Sequence, residues 1–82
     1  MTYDEIRPLI KRDESFRPFR LTLQDGRTFE IRDPWIVLAT SEDLHIGIPL
    51  PEDPTSGIAD HFVHVGLYLV TKVEFLEPAV SA

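Results

Sequence analysis

The chain has 82 residues, a net charge of −6 and no cysteine, which makes a single domain over residues 1–82 the default and leaves disulfides and thiolate metal sites out of its stabilisation. No apolar run is long enough to span a bilayer as a helix. The opening MTYDEIRPLI mixes acidic and basic residues without the apolar core of a signal peptide, so a cytoplasmic location is expected. The charge is uneven: residues 1–32 hold seven Lys/Arg and six Asp/Glu, a net of +1, whereas residues 33–82 hold one Lys and eight Asp/Glu, a net of −7. An acidic chain is a poor nucleic-acid binder by default, because phosphate affinity rests on Lys and Arg.

Thr2 and Glu5 form a capping box, and Ile6, Leu9 and Ile10 follow at helical spacing. The pattern predicts a short helix over residues 3–11, distorted at Pro8, which removes a backbone donor. Its apolar stripe is narrow, so it needs a sheet to dock on. Residues 15–18 connect it to the most informative stretch, FRLTLQDGRTFEI at 19–31.

That stretch predicts a β-hairpin with strands at 18–24 and 27–32. A two-residue Asp-Gly loop would mix apolar and polar side chains on each face, which a half-buried sheet resists. A three-residue loop of Gln24, Asp25 and Gly26 instead pairs Leu21 with Phe29 and Phe19 with Ile31 on one apolar face. The other face then pairs Thr22 with Thr28 and Arg20 with Glu30. Such a loop is a type I turn closed by a left-handed residue, a position suited to Gly26.

Asp33-Pro34 breaks the pattern, and the apolar run at 35–39 reads as a buried strand. Ser41, Glu42 and Asp43 read as a turn. A strand at 44–48 follows, with Leu44, Ile46 and Ile48 inward and Gly47 marking a bulge. PLPEDPTSGIAD at 49–60 reads as a loop, functional or mobile. A strand at 61–65, a helical turn at Leu67, Tyr68 and Leu69, and a last strand at 70–76 with Val73 and Phe75 inward complete the chain, leaving 77–82 as a tail. A short helix and about five short strands imply a mainly β fold, either a small antiparallel barrel or a curled sheet, with an element order like that of SH3-like and Sm-like barrels.

The segments MTYDEIR, FRPFRLTLQDGRTFEIRDP and VGLYLVTKVEF resemble a set of short, uncharacterised bacterial proteins with no known activity. Those proteins carry a Pro-Phe-x-Pro-Phe-like lead-in, an Asp-Gly-Arg turn, a strand ending in His-Pro or similar, and a terminal Leu-Val-Thr-Arg-Ile-Glu-like strand. The matching positions here are 16–19, 25–27, 33–34 and 69–74. The likeness spans most of the chain except 49–60. It implies one intact domain of bacterial origin and no mechanism.

Candidate chemistry is sparse. His61 and His64 with Asp60 suggest a metal pair, yet an odd spacing on a strand sends the two rings to opposite faces, and zinc needs three or four converging ligands. Ser41, Ser56 and Thr71 lie in no nucleophile motif. The carboxylates of Glu42, Asp43, Glu52 and Asp53 fall in turns, and no glycine loop cradles a phosphate. No enzymatic activity, metal or cofactor is therefore expected.

Arg17, Arg20, Arg27 and Arg32 cluster around the hairpin. They read either as an outer face balanced by Glu30, Asp25 and Asp33 or as a positive patch. Phe16, Phe19 and Trp35 are nearby in sequence; core packing or base stacking would use them, and Trp35 is the one expected to be partly exposed. The expected function is a non-catalytic protein-interaction or assembly module that self-associates. Its motivation is an open sheet edge and the +1/−7 charge split. The alternative is a small-barrel binder of single-stranded RNA or DNA acting through Arg17, Arg20, Arg27, Arg32 and Trp35.

Overall fold

Alternating apolar residues on either side of the Gln24-Asp25-Gly26 loop build the first sheet. In the computed structural model of the protein, which describes residues 1–76, strands β1 (Phe19–Leu23) and β2 (Thr28–Ile31) pair antiparallel. Phe19 lies opposite Ile31, Arg20 opposite Glu30, Leu21 opposite Phe29 and Thr22 opposite Thr28, the register that the alternation predicts. The Leu23 N–H donates to the Arg27 carbonyl and the Gly26 N–H to the Leu23 carbonyl, each at 2.9 Å. Gly26 has a φ of 91°, which a side chain would strain.

Four further strands follow. They are β3 (Val37–Ala39), β4 (Asp43–Pro49), β5 (Ala59–Gly66) and β6 (Val70–Phe75). The described residues thus form a mainly β fold of six strands in two three-stranded antiparallel sheets, ordered β2-β1-β6 and β3-β4-β5, where a barrel or one curled sheet of about five strands was expected; the sheets do not close into a barrel. The physical cause lies at the two crossings between sheets. Both are 3-10 turns, Pro34–Ile36 and Leu67–Leu69, which interrupt the ladder instead of carrying it round. Pro34 has no N–H to offer a ladder, and the Asp33 carboxylate takes the Trp35 N–H at 2.9 Å.

The inner faces meet in one core. Phe19, Leu21, Leu23 and Ile31 come from the first sheet and Val37, Leu44, Ile46 and Val65 from the second. Ile6, Leu67 and Val70 join them. The capping box at Thr2 and Glu5 is present, but the α-helix α1 spans only Tyr3–Ile6 before the chain tightens into a 3-10 turn at Arg7–Ile10. Pro8 explains this, since an α-helix needs its N–H to reach the carbonyl four residues back.

Other boundaries shift. The buried strand expected at 35–39 is a 3-10 turn followed by three strand residues, and Leu38 faces solvent. β4 and β5 are longer than expected, so the loop shrinks to residues 50–58. The Leu50 N–H closes it on the Ile58 carbonyl at 3.3 Å. The bulge expected at Gly47 occurs instead on β5, where Asp60 is the extra residue between the pairs Ile48–His61 and Pro49–Ala59. Gly47 answers a different need, because a Cβ there would lie 2.8 Å from the Ile36 carbonyl oxygen. Phe75 pairs opposite Phe19, as an inward residue should, yet remains exposed beneath the Arg17 guanidinium, 4.2 Å from its ring centroid. The helical turn at 67–69 is where the sequence places it. The expected tail at 77–82 lies outside the described residues.

Substitutions at two positions test the turn and the core. Gly26→Val should cost about 1–2 kcal/mol through backbone strain alone, since nothing lies within 4 Å of an added Cβ, whereas Gly26→Asn should cost less. Leu21→Ala, at a fully buried site, should cost about 3 kcal/mol. Urea denaturation of the three variants checks both.

Candidate interaction surface

The outer faces of the two sheets differ in chemistry. On the first sheet, alternation turns Arg20 and Thr22 outward from β1, Thr28 and Glu30 from β2, and Lys72 and Glu74 from β6. Arg20 bridges the face, with one guanidinium nitrogen 3.0 Å from a Glu30 oxygen and the other 3.7 Å from a Glu74 oxygen. Arg32 meets the second Glu30 oxygen at 3.0 Å, and Lys72 meets Glu74 at 3.4 Å. Arg27 lies 2.8 Å from Asp25 across the turn. Glu30 is held below its ordinary value, first by the hydrogen bond from Arg20 and then by that from Arg32.

Of the five residues singled out from the sequence, Arg20 and Arg32 meet on the one carboxylate of Glu30. Arg20, Arg27 and Arg32 face carboxylates, and Arg17 covers Phe75. The balancing acids are Glu30, Asp25 and Glu74; Asp33, expected among them, caps the turn at Trp35 instead. Phe16 and Phe19 pack at 6.2 Å between ring centroids, with Phe19 in the core. Trp35 is 67% exposed.

Trp35 is covered on one side by Arg12, whose guanidinium carbon lies 5.2 Å from the ring. Arg12 also donates to the Pro34 and Val37 carbonyls at 3.2 Å each. Val37 belongs to β3, an edge strand, so Arg12 occupies a carbonyl that would otherwise be open for strand pairing. Sequence reasoning gave Arg12 no such role, because its partners lie 22 and 25 residues further along.

The outer face of the second sheet is built otherwise. Inward Leu44, Ile46 and Ile48 leave Asp43, His45 and Gly47 outward on β4. Register then places Leu38 beside His45, His45 beside His64, and Gly47 beside Phe62. His45 and His64 stack with centroids 4.1 Å apart and planes 17° from parallel. Tyr68 lies over Gly66, where a Cβ would come within 2.6 Å of its ring. Leu38, Phe62 and Tyr68 are 53%, 49% and 75% exposed. No Lys or Arg projects from β3, β4 or β5. The alternation of the strands at 44–48 and 61–65 carried the signal for this face, once the outward positions were read as well as the inward ones.

His61 and His64 lie on opposite faces of β5, the Asp60 carboxylate lies 2.8 Å from the His61 ring nitrogen, and no group of three potential metal ligands gathers among the described residues. A cleft of about 680 Å³ beside the second 3-10 turn has an apolar floor of Ile31, Ile36 and Val37 beneath Arg32 and Asp33. No described helix is long and apolar enough to cross a membrane. No protein-family model, curated protein or solved structure matches the chain.

The lowered pKa of Glu30 gives a directional prediction. A carboxyl depressed by folding stabilises above its ordinary value near 4.5 and loses that contribution as pH falls through the folded value. Thermal melts of the wild type and Glu30→Gln should therefore differ at neutral pH and converge in acid. A gap that stays constant across the acid range would refute the ion-pair lattice. Arg12→Ala should lower stability by about 1 kcal/mol, the worth of charged hydrogen bonds discounted for exposure, and denaturant titration reads it.

Proposed function

We propose that the protein is a non-catalytic interaction module that acts by self-association through its second sheet. The observation that carries this reading is the exposure of Leu38, Phe62 and Tyr68 on the face that holds the stacked His45–His64 pair. Contiguous exposed apolar surface on a small domain marks an interaction site, and a chain of 82 residues gains most from covering it, because so small a domain buries a limited fraction of its own surface. The surface is apolar, so the attraction is hydrophobic instead of arising from the +1/−7 split of the sequence.

Single-stranded nucleic acid is the competing partner class. The pairing of Arg20, Arg27 and Arg32 with carboxylates supports it less, since counterion release needs cations free to neutralise phosphates.

Light scattering across a concentration series tests the proposal. The expected outcome is a mass that rises with concentration, persists in high salt, and falls towards monomer in Phe62→Glu. A monomer mass at every concentration would overturn it. Filter binding of an oligonucleotide at two salt concentrations should show weak retention, unchanged by Arg20→Glu and Arg27→Glu. Tight, steeply salt-dependent retention lost in those variants would put nucleic acid first.

A further inference from the structure

The four sheet edges are not equally available for pairing with another chain. β2 has four residues and is flanked by the paired Arg27 and Arg32. β3 has three residues, and Arg12 holds its Val37 carbonyl. β6 carries Lys72 and Glu74 in an ion pair. Charged side chains and short length are the usual protections of an edge. β5 has eight residues, pairs only with β4 among the described strands, and over 61–65 reads His-Phe-Val-His-Val with no Asp, Glu, Lys or Arg.

The hydrogen-bond pattern says which backbone groups on β5 are free. The Leu67 N–H donates to the Glu42 carbonyl at 2.8 Å, and these residues extend the register in which Leu44 faces Val65, Ile46 faces Val63 and Ile48 faces His61. In an antiparallel ladder, bonded and non-bonded pairs alternate. Val65, Val63 and His61 thus turn their N–H and C=O groups to β4, while Phe62 and His64 turn theirs to the open side.

From this geometry we infer that β5 of a second copy adds antiparallel to β5, about a two-fold axis through Val63; the inference rests on the self-association proposed above and assigns its interface. The register follows from three constraints. Only symmetric pairings whose residue numbers sum to an even value bring outward backbone groups against outward ones. An axis at Phe62 would set the bulged Asp60 opposite His64, and an axis at His64 would run residue 61 against the 3-10 turn that starts at Leu67. The axis at Val63 alone pairs the regular span 61–65 with itself.

In that pairing Phe62 and His64 of one copy exchange backbone hydrogen bonds with His64 and Phe62 of the other. On the outer face, the half-exposed Phe62 ring then lies beside an imidazole that already stacks on His45. On the inner face, valine meets valine at residue 63, apolar against apolar. Over 62–64 the matched surfaces are aromatic and aliphatic, so the centre of the edge is complementary to itself, with His61 opposite Val65 at either end. The contact is small, and the dimer dissociates on dilution.

Cysteine placement tests the register directly, because the chain has no cysteine of its own. Val63 would form a non-bonded antiparallel pair with its symmetry mate, at a Cα separation of about 4.5 Å, inside the range that a disulfide spans. On mild oxidation, Val63→Cys should give roughly tenfold more covalent dimer than Ile58→Cys, owing to the effective concentration in the pair, although Ile58 is well exposed. His64→Pro removes an N–H that β4 does not use, so it should keep a cooperative melt while the concentration-dependent mass increase disappears. His64→Lys, which puts a charge at the same open edge, gives the same test if the proline variant fails to fold. If mass still rises with concentration in the folded edge variants, or Ile58→Cys cross-links as well as Val63→Cys, this interface is wrong and the self-association reading survives. A wild type that stays monomeric and a Val63→Cys variant that yields no covalent dimer would defeat both.

Discussion

The burial of β1 between β2 and β6 is the constraint from which the rest of the molecule follows. Phe19, Leu21 and Leu23 are all buried from a five-residue strand, and they can share one face only if Arg20 and Thr22 share the other. That parity passes through the ladder to Ile31 on one side and to Val73 on the other. It also determines which charges meet on the outside, since Arg20 lies in the same row as Glu30 and Glu74. The core face and the ion-pair face are thus two results of one alternation.

The second sheet obeys the same alternation with different residues. Its inner positions are as apolar as those of the first, but its outer positions, apart from Asp43 at one end of β4, are imidazole, aromatic and aliphatic instead of charged. One sheet is finished by its own side chains and the other is not. This asymmetry, more than the uneven charge of the sequence, separates the ion-paired face from the face proposed for interaction. Net charge by segment is a poor guide here, because Glu74 of the acidic half and Arg20 of the basic half neutralise each other across the β1–β6 pair.

The hairpin register was legible in the sequence because it depends on residues close together and on a glycine whose backbone demand is local. The capping box, the disturbance at Pro8 and the turn at 67–69 were legible for the same reason. Barrel closure was not, since it depends on whether the ladder continues through two 3-10 turns. The balance of the arginines by Glu30 and Asp25 was legible in the same way as the hairpin, whereas the partner Glu74 was not, because Arg20 and Glu74 are 54 positions apart in the chain. Arg12 was hidden likewise. The open face could be read in part: His45 sits between two inward residues, and Phe62 and His64 alternate with valines. The side on which β5 stays unpaired emerges only from the strand order.

The Arg12 clasp on the rim of β3 has a consequence for how large an assembly can grow. A sheet with two receptive margins would add copies without end, as fibrils do. Here the β3 margin is held by a guanidinium that already satisfies the carbonyl an incoming chain would need. Under the proposed pairing through β5, association would close at a pair, because the arginine that covers an indole would also keep a further strand off the opposite margin of that sheet.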